Sequence, residues 1–178
     1  MILLPYECCD GVHEQIERIY MESFPESERR PAGEWWRMIC GGEFPLQLMV
    51  ICDDEGKETV GFISFWRFSG FVYVEHFAVD ARFRCGGTGS RALGEFLKRI
   101  DMPVVLEVER RGANDMADRR IGFYSRMGFH TVDDFDYVQP PYAPGLPSVP
   151  LLLMSTRPEA VAPDVVAATL FREVYGVR

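Results

Sequence analysis

The sequence predicts a mixed α/β fold: one central twisted sheet, mixed but mostly antiparallel, with helices on both faces. Three observations carry this reading. Apolar runs of strand length alternate with amphipathic runs of helical period along most of the 178 residues. Three successive strands, 46–52, 59–68 and 71–80, are separated only by short polar breaks, so neighbours pair antiparallel. A glycine-rich turn at 84–90 then leads from the third strand into a helix, and a further strand follows at 104–108.

Each element has its own reason. Ile2 to Leu4 opens a first strand, and Val12, Ile16, Ile19, Tyr20 and Phe24 recur at helical spacing until Pro25 stops the helix. The charged turn 25–31 precedes a short helix carrying Trp35, Trp36 and Ile39, which Gly41-Gly42 ends. The polar turn 53–57 joins the next two strands as a hairpin. After the glycine turn, Ala92, Leu93, Phe96, Leu97 and Ile100 form one helical face. A loop at 110–114 leads to a helix over 116–127, expected to end in a left-handed cap at Gly128. Strands 129–138 and 149–155 form a last hairpin around the proline-rich loop 139–145. The tail can form a helix over 164–175 that docks through Val165, Val166, Leu170, Phe171 and Val174. Residues 1–156 are therefore expected to form one domain and 157–178 a docked tail.

Composition narrows the function. A 47% hydrophobic, 13% aromatic chain of this length builds a real core, and a formal charge of −8 argues against nucleic acid or an anionic membrane as partner. No apolar run reaches membrane-spanning length, and Met1 to Leu4 is too short before Pro5 to read as a secretory leader. The five cysteines are scattered and never spaced C-x-x-C, so free thiols, no disulfide framework and a reduced cytoplasm are expected. Cys9 and His13 could share a helical face, but no second ligand pair accompanies them, and no metal is expected.

The glycine turn carries the chemistry. Successive N–H groups left bare at a helix start, with the positive end of the helix dipole behind them, bind phosphates. Three phosphate signatures compete for Arg84-Cys85-Gly86-Gly87-Thr88-Gly89-Ser90. A P-loop needs a lysine here and finds none. The dinucleotide fingerprint fits Gly87-x-Gly89-x-x-Ala92, with Glu107 as the ribose-binding acid, but a charged segment separates the turn from its strand and too few strands precede it. The third, Arg/Gln-x-x-Gly-x-Gly/Ala, is met by Arg84, Gly87 and Gly89 after a strand ending Ala78-Val79-Asp80. Together with Phe123-Tyr124-Ser125-Arg126-Met127-Gly128-Phe129 further on, it resembles the GNAT family of N-acetyltransferases. The element order agrees with that family's fold. In such a fold the strands at 71–80 and 104–108 run parallel, splay apart, and admit the pantetheine arm of acetyl-CoA between them.

The resemblance implies direct transfer of an acetyl group, in a ternary complex, to a primary amine of a small molecule or peptide. A monomer or homodimer is expected, and with the charge and spacing arguments above no metal, nucleic acid or membrane partner. Cys85, Gly86, Gly87, Thr88, Gly89 and Ser90 would hold pyrophosphate by their amides with Arg84 in support, and Phe77, Ala78 and Val79 would line the cleft and polarise the carbonyl. Glu75, the acidic residue on the cleft strand, would take the amine's proton, and Tyr124 would protonate the thiolate. Strand alternation puts Tyr73, Glu75 and Phe77 on one face and His76 on the other, where it is expected as a satisfied core histidine. Glu26, Glu28, Trp35, Trp36, Tyr73, Tyr137, Gln139 and Tyr142 offer an acidic and aromatic acceptor lining suited to a cationic or aromatic amine. One departure stands out: the family's Asn and Ala before the tyrosine are Ala117 and Arg120 here, with Asn114 displaced upstream. Two other functions fit parts of the chain: a non-catalytic acyl-CoA-binding module, and a dinucleotide-binding protein.

Overall fold

A computed structural model describes residues 1–8 and 11–177. In chain order it contains β1 (Ile2–Pro5), α1 (His13–Ser23), α2 (Ala32–Gly41), β2 (Leu46–Cys52), β3 (Thr59–Arg67), β4 (Val72–Val79), α3 (Thr88–Leu97), β5 (Val104–Glu109), α4 (Asp115–Arg126), β6 (His130–Thr131), β7 (Tyr137–Gln139), β8 (Val149–Ser155) and α5 (Pro163–Thr169). The strands form one sheet in the order β1-β2-β3-β4-β5-β8-β6, with β7 also on β8. All pairings are antiparallel except β4 with β5.

The sheet separates two cores. On one face α1, α2 and the tail bury Ile16, Tyr20, Trp35, Phe62, Trp66, Leu170 and Val174; on the other, α3 and α4 bury Ile63, Phe65, Leu93, Phe96, Ile121 and Phe129. The central strand β3 is buried on both sides up to Arg67. It approaches β4 so closely that a Cβ on Gly61 would lie 2.2 Å from the Ala78 carbonyl oxygen, so only glycine fits there.

Local signals end the helices as expected. Gly42 closes α2 in the left-handed region, and Gly128 does the same after α4, where the Phe129 N–H returns to the Tyr124 carbonyl at 3.1 Å. Asn114 caps α4 by accepting from the Ala117 N–H at 2.8 Å, which gives that displaced asparagine a structural use.

Four sequence expectations change. The strand 129–138 is interrupted between β6 and β7, where Asp134 adopts φ 62° and the carboxylates of 133–136 turn outward. The tail helix widens into a π turn at Leu170–Val174, and Val165 faces solvent rather than the body. Cys8 and Cys40 form a disulfide, bringing the segment after β1 onto the end of α2 across 32 residues, a proximity invisible in their spacing. A disulfide belongs to oxidising settings, so cysteine usage no longer supports a reduced compartment. Cys52 and Cys85 are free thiols, and the Cys9–His13 reading lies outside the described residues. No helix among the described residues is long and apolar enough to cross a membrane.

Candidate active site

The site begins as a parting of two parallel strands. β4 and β5 pair only at Val72↔Val104, Tyr73↔Val105 and Val74↔Leu106. Immediately afterwards β4 bulges against β3: Ser64 faces His76 and Phe65 faces Val74, leaving Glu75 without a partner. An extra residue bends the strand and raises its twist. The strands then diverge around a cleft of about 260 Å³. Asp80 N–H donates to the Val60 carbonyl, and the Ala78 carbonyl also faces β3, so alternation turns the main-chain groups of Phe77 and Val79 toward the cleft. Of the three residues expected there, Phe77 and Val79 present main chain, while Ala78 borders the cleft with its backbone committed to β3.

The glycine turn lies beside this cleft. Cys85, Gly86 and Gly87 follow one another at φ 88°, 69° and 78°, a curl that points the next amides outward. The first helical return bond is Arg91 N–H to Gly87 O, and the N–H groups of Thr88, Gly89 and Ser90 find no acceptor among the described residues. A second hollow of about 380 Å³ beneath the turn shares Phe77, Val79, Arg84, Met116, Arg120 and Tyr124 with the cleft, so one track runs from the bare amides to Tyr124. Donors of this kind at the start of a helix fit a pyrophosphate. Arg84 sits at the mouth but is already engaged, donating to the Val79 carbonyl at 2.9 Å and to Ser23 Oγ at 3.1 Å.

Tyr124, on the last turn of α4, packs against Phe123 and Phe129 and is 9% exposed. Its hydroxyl makes no hydrogen bond among the described residues and borders the cleft. Burial pushes its pKa up to about 12, with Arg120 pulling slightly the other way. It is a phenol that keeps its proton through the neutral range.

The bulge overturns the expected alternation. Glu75 and His76 both face the α1/α2 side, where Glu75 Oε1 accepts from Arg30 Nε at 3.0 Å and Oε2 from the Trp66 indole N–H at 3.0 Å. The Glu75 side chain has no exposed surface. Burial, the largest single influence, would raise its pKa, but the Arg30 guanidinium, His76 and the Trp66 indole together outweigh it and hold the pKa below the ordinary value. A carboxylate so paired is a poor proton acceptor, and Glu75 meets the cleft through its bulged backbone instead. His76 bonds the Glu28 carbonyl at 3.0 Å and approaches Ser64 Oγ at 3.4 Å, and burial lowers its pKa. It is the satisfied core histidine that the sequence suggests, though on the other face.

Glu107 on β5 takes the position expected of Glu75. Its Oε2 accepts from Tyr73 and Tyr175 at 2.8 and 2.7 Å and its Oε1 from Tyr137, and no cation among the described residues pairs with it. Burial pushes its pKa up to about 7 despite these three donors, in a wall of the cleft. Two carboxylates on neighbouring strands are thus driven in opposite directions, Glu75 down and Glu107 up. The dinucleotide reading loses its ribose acid, because Glu107 lies among tyrosines on the face of the sheet opposite α3. The signal that picks out Glu75 was also present here: a carboxylate inside Val104-Val105-Leu106-Glu107-Val108 is costly unless paired or functional.

The acceptor residues separate. Glu28, Gln139 and Tyr142 line the cleft, and Tyr142 lies over the Arg30 guanidinium at 4.8 Å. Glu28 is raised by burial and by the nearby Glu109, itself paired with Arg120. Glu26 instead borders a separate hollow of about 280 Å³ beside Arg29 and Leu146. Trp35 is wholly buried between Tyr20, Trp36 and Phe62, Trp36 donates to Glu17, and Tyr73 is a fully buried donor to Glu107, so none of the three lines the cleft.

Residues 45–131 match the family model described as an acetyltransferase (GNAT) domain. A structure from Bacteroides thetaiotaomicron, assigned to the GNAT family of acetyltransferases, is 34% identical, covers 100% of both chains and superposes with a TM-score of 0.88. An aminoglycoside 6′-acetyltransferase of type Ii and Arabidopsis thaliana NAA60 in complex with acetyl-CoA each share the fold at a TM-score of 0.61 and 18% identity. They cover 87% and 86% of this chain and 96% of their own. No curated protein matches the sequence.

Proposed function

Because the chain belongs to the GNAT family of acetyltransferases, we propose that it moves an acetyl group from acetyl-CoA to a primary amine of a small molecule or peptide, directly and in a ternary complex. The observation that carries this reading is the gap between β4 and β5, with the Glu107 carboxylate on one side, the Tyr124 hydroxyl on the other and the outward main chain of Phe77 and Val79 between them. Acetyl-CoA brings an acyl group activated as a thioester. The bare amides of 88–90 bind its phosphates, and the outward N–H of Phe77 or Val79 polarises the reacting carbonyl without any charge of its own.

An ammonium acceptor with a pKa near ~10 is protonated at neutral pH and must lose a proton before its nitrogen lone pair can bond to carbon. Glu107, poised at about 7, receives that proton, through water where the acceptor does not reach it. As the new C–N bond forms and the C–S bond breaks, the sulfur takes a proton from Tyr124, and the second proton shed by the acetylated nitrogen returns through water to restore the phenol. Glu28 and Glu109 make the acceptor mouth acidic and Tyr142 gives it an aromatic wall, which suits a cationic or aromatic amine. The relatives at 18% identity, one named for aminoglycosides, support the fold and leave the acceptor open. A thiol-release screen of acetyl-CoA against amines, amino acids, aminoglycosides and peptides tests the reading. Turnover lost in Glu107→Gln supports it. Thermal stabilisation by CoA with no turnover on any amine identifies a binding module, and stabilisation by NAD in place of CoA removes the acetyltransferase altogether.

A further inference from the structure

We infer that the C-terminal segment supports the acceptor site from behind its lining, with Tyr175 acting as a positioning residue that fixes the Glu107 carboxylate. The inference rests on the role given above to Glu107. The stripe Val166, Ala167, Leu170 and Val174 is enough to dock the segment by apolar burial, so its polar contacts need a separate account. Two of them bear on the carboxylates beside the cleft, one directly and one through Arg30, and the Tyr175 hydroxyl also lies 3.3 Å from that of Tyr73.

The first is the Tyr175 hydroxyl, which donates to Glu107 Oε2 at 2.7 Å. A carboxylate offers about four acceptor positions. Tyr73 and Tyr175 fill both on Oε2 and Tyr137 fills one on Oε1, which leaves a single position on Oε1 for a proton from the acceptor. Removing Tyr175 frees an acceptor position on Oε2, and the carboxylate is no longer limited to one orientation. The second contact is the Val174 carbonyl, which accepts from Arg30 Nη2 at 2.6 Å. Carbonyls at a helix C-terminus lack intrahelical partners and carry the negative end of the dipole. The tail therefore aims its negative end at the guanidinium whose other side holds Glu75.

The π turn makes both contacts possible at once. The Tyr175 N–H bonds the Leu170 carbonyl five residues back, and the Phe171 carbonyl is taken by the Val177 N–H. This wider turn buries Val174 in the core while the Tyr175 hydroxyl reaches Glu107, which lines the cleft. The groups facing Glu107 are Tyr73 and Glu75 from β4, Tyr137 from β7, Tyr142 from the loop before β8, and Tyr175, with Arg30 behind Tyr142.

Tyr175→Phe in the full chain keeps the ring and removes the hydroxyl. Because the phenol stabilises the charged carboxylate, its loss should raise the Glu107 midpoint by about one pH unit, the size of one hydrogen bond to a charged acceptor. Carbon-13 NMR of labelled glutamate carboxyls, assigned with Glu107→Gln, reads that midpoint without any substrate. The acid limb of kcat/KM should move up by the same amount, lowering the rate about tenfold on that limb, with CoA affinity unchanged. An unshifted carboxyl midpoint overturns the inference. If Glu107→Gln keeps wild-type turnover, the proton-accepting role of Glu107 fails, and the NMR midpoint still decides whether Tyr175 positions it.

Discussion

Glu75→Gln and Glu107→Gln differ by the same atom exchange on neighbouring strands and should have opposite consequences. Glu75 is the sole carboxylate partner of Arg30 among the described residues, and both side chains are buried, 0% and 4% exposed. Neutralising it leaves a buried guanidinium held, among the described residues, by the Val174 carbonyl and the Tyr142 and Trp66 rings. Breaking a buried pair in this way costs about 3–5 kcal/mol. Gln retains an oxygen for the Trp66 N–H, so the lower end applies, and about 3 kcal/mol in a domain of this size is a fall in Tm of roughly 6–12 °C. Turnover measured well below that Tm should stay within about an order of magnitude, because the proton passes to Glu107. Glu107→Gln should instead cut turnover by roughly 10²–10⁴-fold, since the amide cannot accept the proton. Its stability effect has the other sign. The folded pKa near 7 lies above the unfolded value of 4.5, so the wild type loses stability as pH rises from about 4.5 through 7, and the variant does not. Differential scanning calorimetry at pH 5 and 8, beside a thiol-release assay, reads both quantities. A Glu75→Gln protein of wild-type Tm that has lost turnover a hundredfold would refute this division of labour and return the proton to Glu75.

Three further outcomes follow from the geometry. Gly89→Glu should abolish stabilisation by CoA while the protein stays folded, because Gly89 has an ordinary φ and a Cβ there meets Phe123 and Phe77 no closer than 3.7 Å, whereas Gly87 at φ 78° would add backbone strain; retained CoA binding would move the anion site elsewhere. Tyr124→Phe should slow turnover by roughly tenfold or more without reshaping the pH profile below about pH 10, because the phenol titrates near 12; a wild-type alkaline fall that the variant abolishes would contradict that raised value. Reduction of the Cys8–Cys40 bond should lower Tm by roughly 10 °C, from about 3–4 kcal/mol of chain entropy over a 32-residue separation, and Cys40→Ser should be insensitive to reductant.

The element order was legible because each element carries its own local signal: Pro25 after α1, Gly42 after α2, Gly128 after α4, and the apolar face of α3. The anion turn was legible for the same reason, since the conformations of 85–87 follow from Gly86 and Gly87 with only Cys85 joining against its preference. What depends on long-range contact was not. Period-two alternation fails at Glu75 because the bulge is set by pairing with Ser64 and Phe65, a property of two strands rather than one. Arg30 is one charge in a run, Glu26-Ser27-Glu28-Arg29-Arg30, that reads as a solvated turn, and its buried partner is 45 residues away. The three phenols that hold Glu107 come from β4, β7 and the tail, so no window of sequence contains the cluster. The disulfide is hidden likewise.

The brevity of the β4–β5 ladder has a mechanical consequence. The sheet is two panels, β1 to β4 and β5 to β8, stitched at a waist of three residue pairs, with the opening just beyond it. Helices α3 and α4 brace the waist from one face, and the tail straps it from the other by bonding Arg30 beside α2 and Glu107 on β5. A molecule lying along the opening bonds to both panels where they have let go of each other. Its binding should therefore be felt as stiffening across the whole sheet, with amide exchange slowed at Phe77 and Val79 on one panel and at Val108 on the other together, rather than at the contact residues alone.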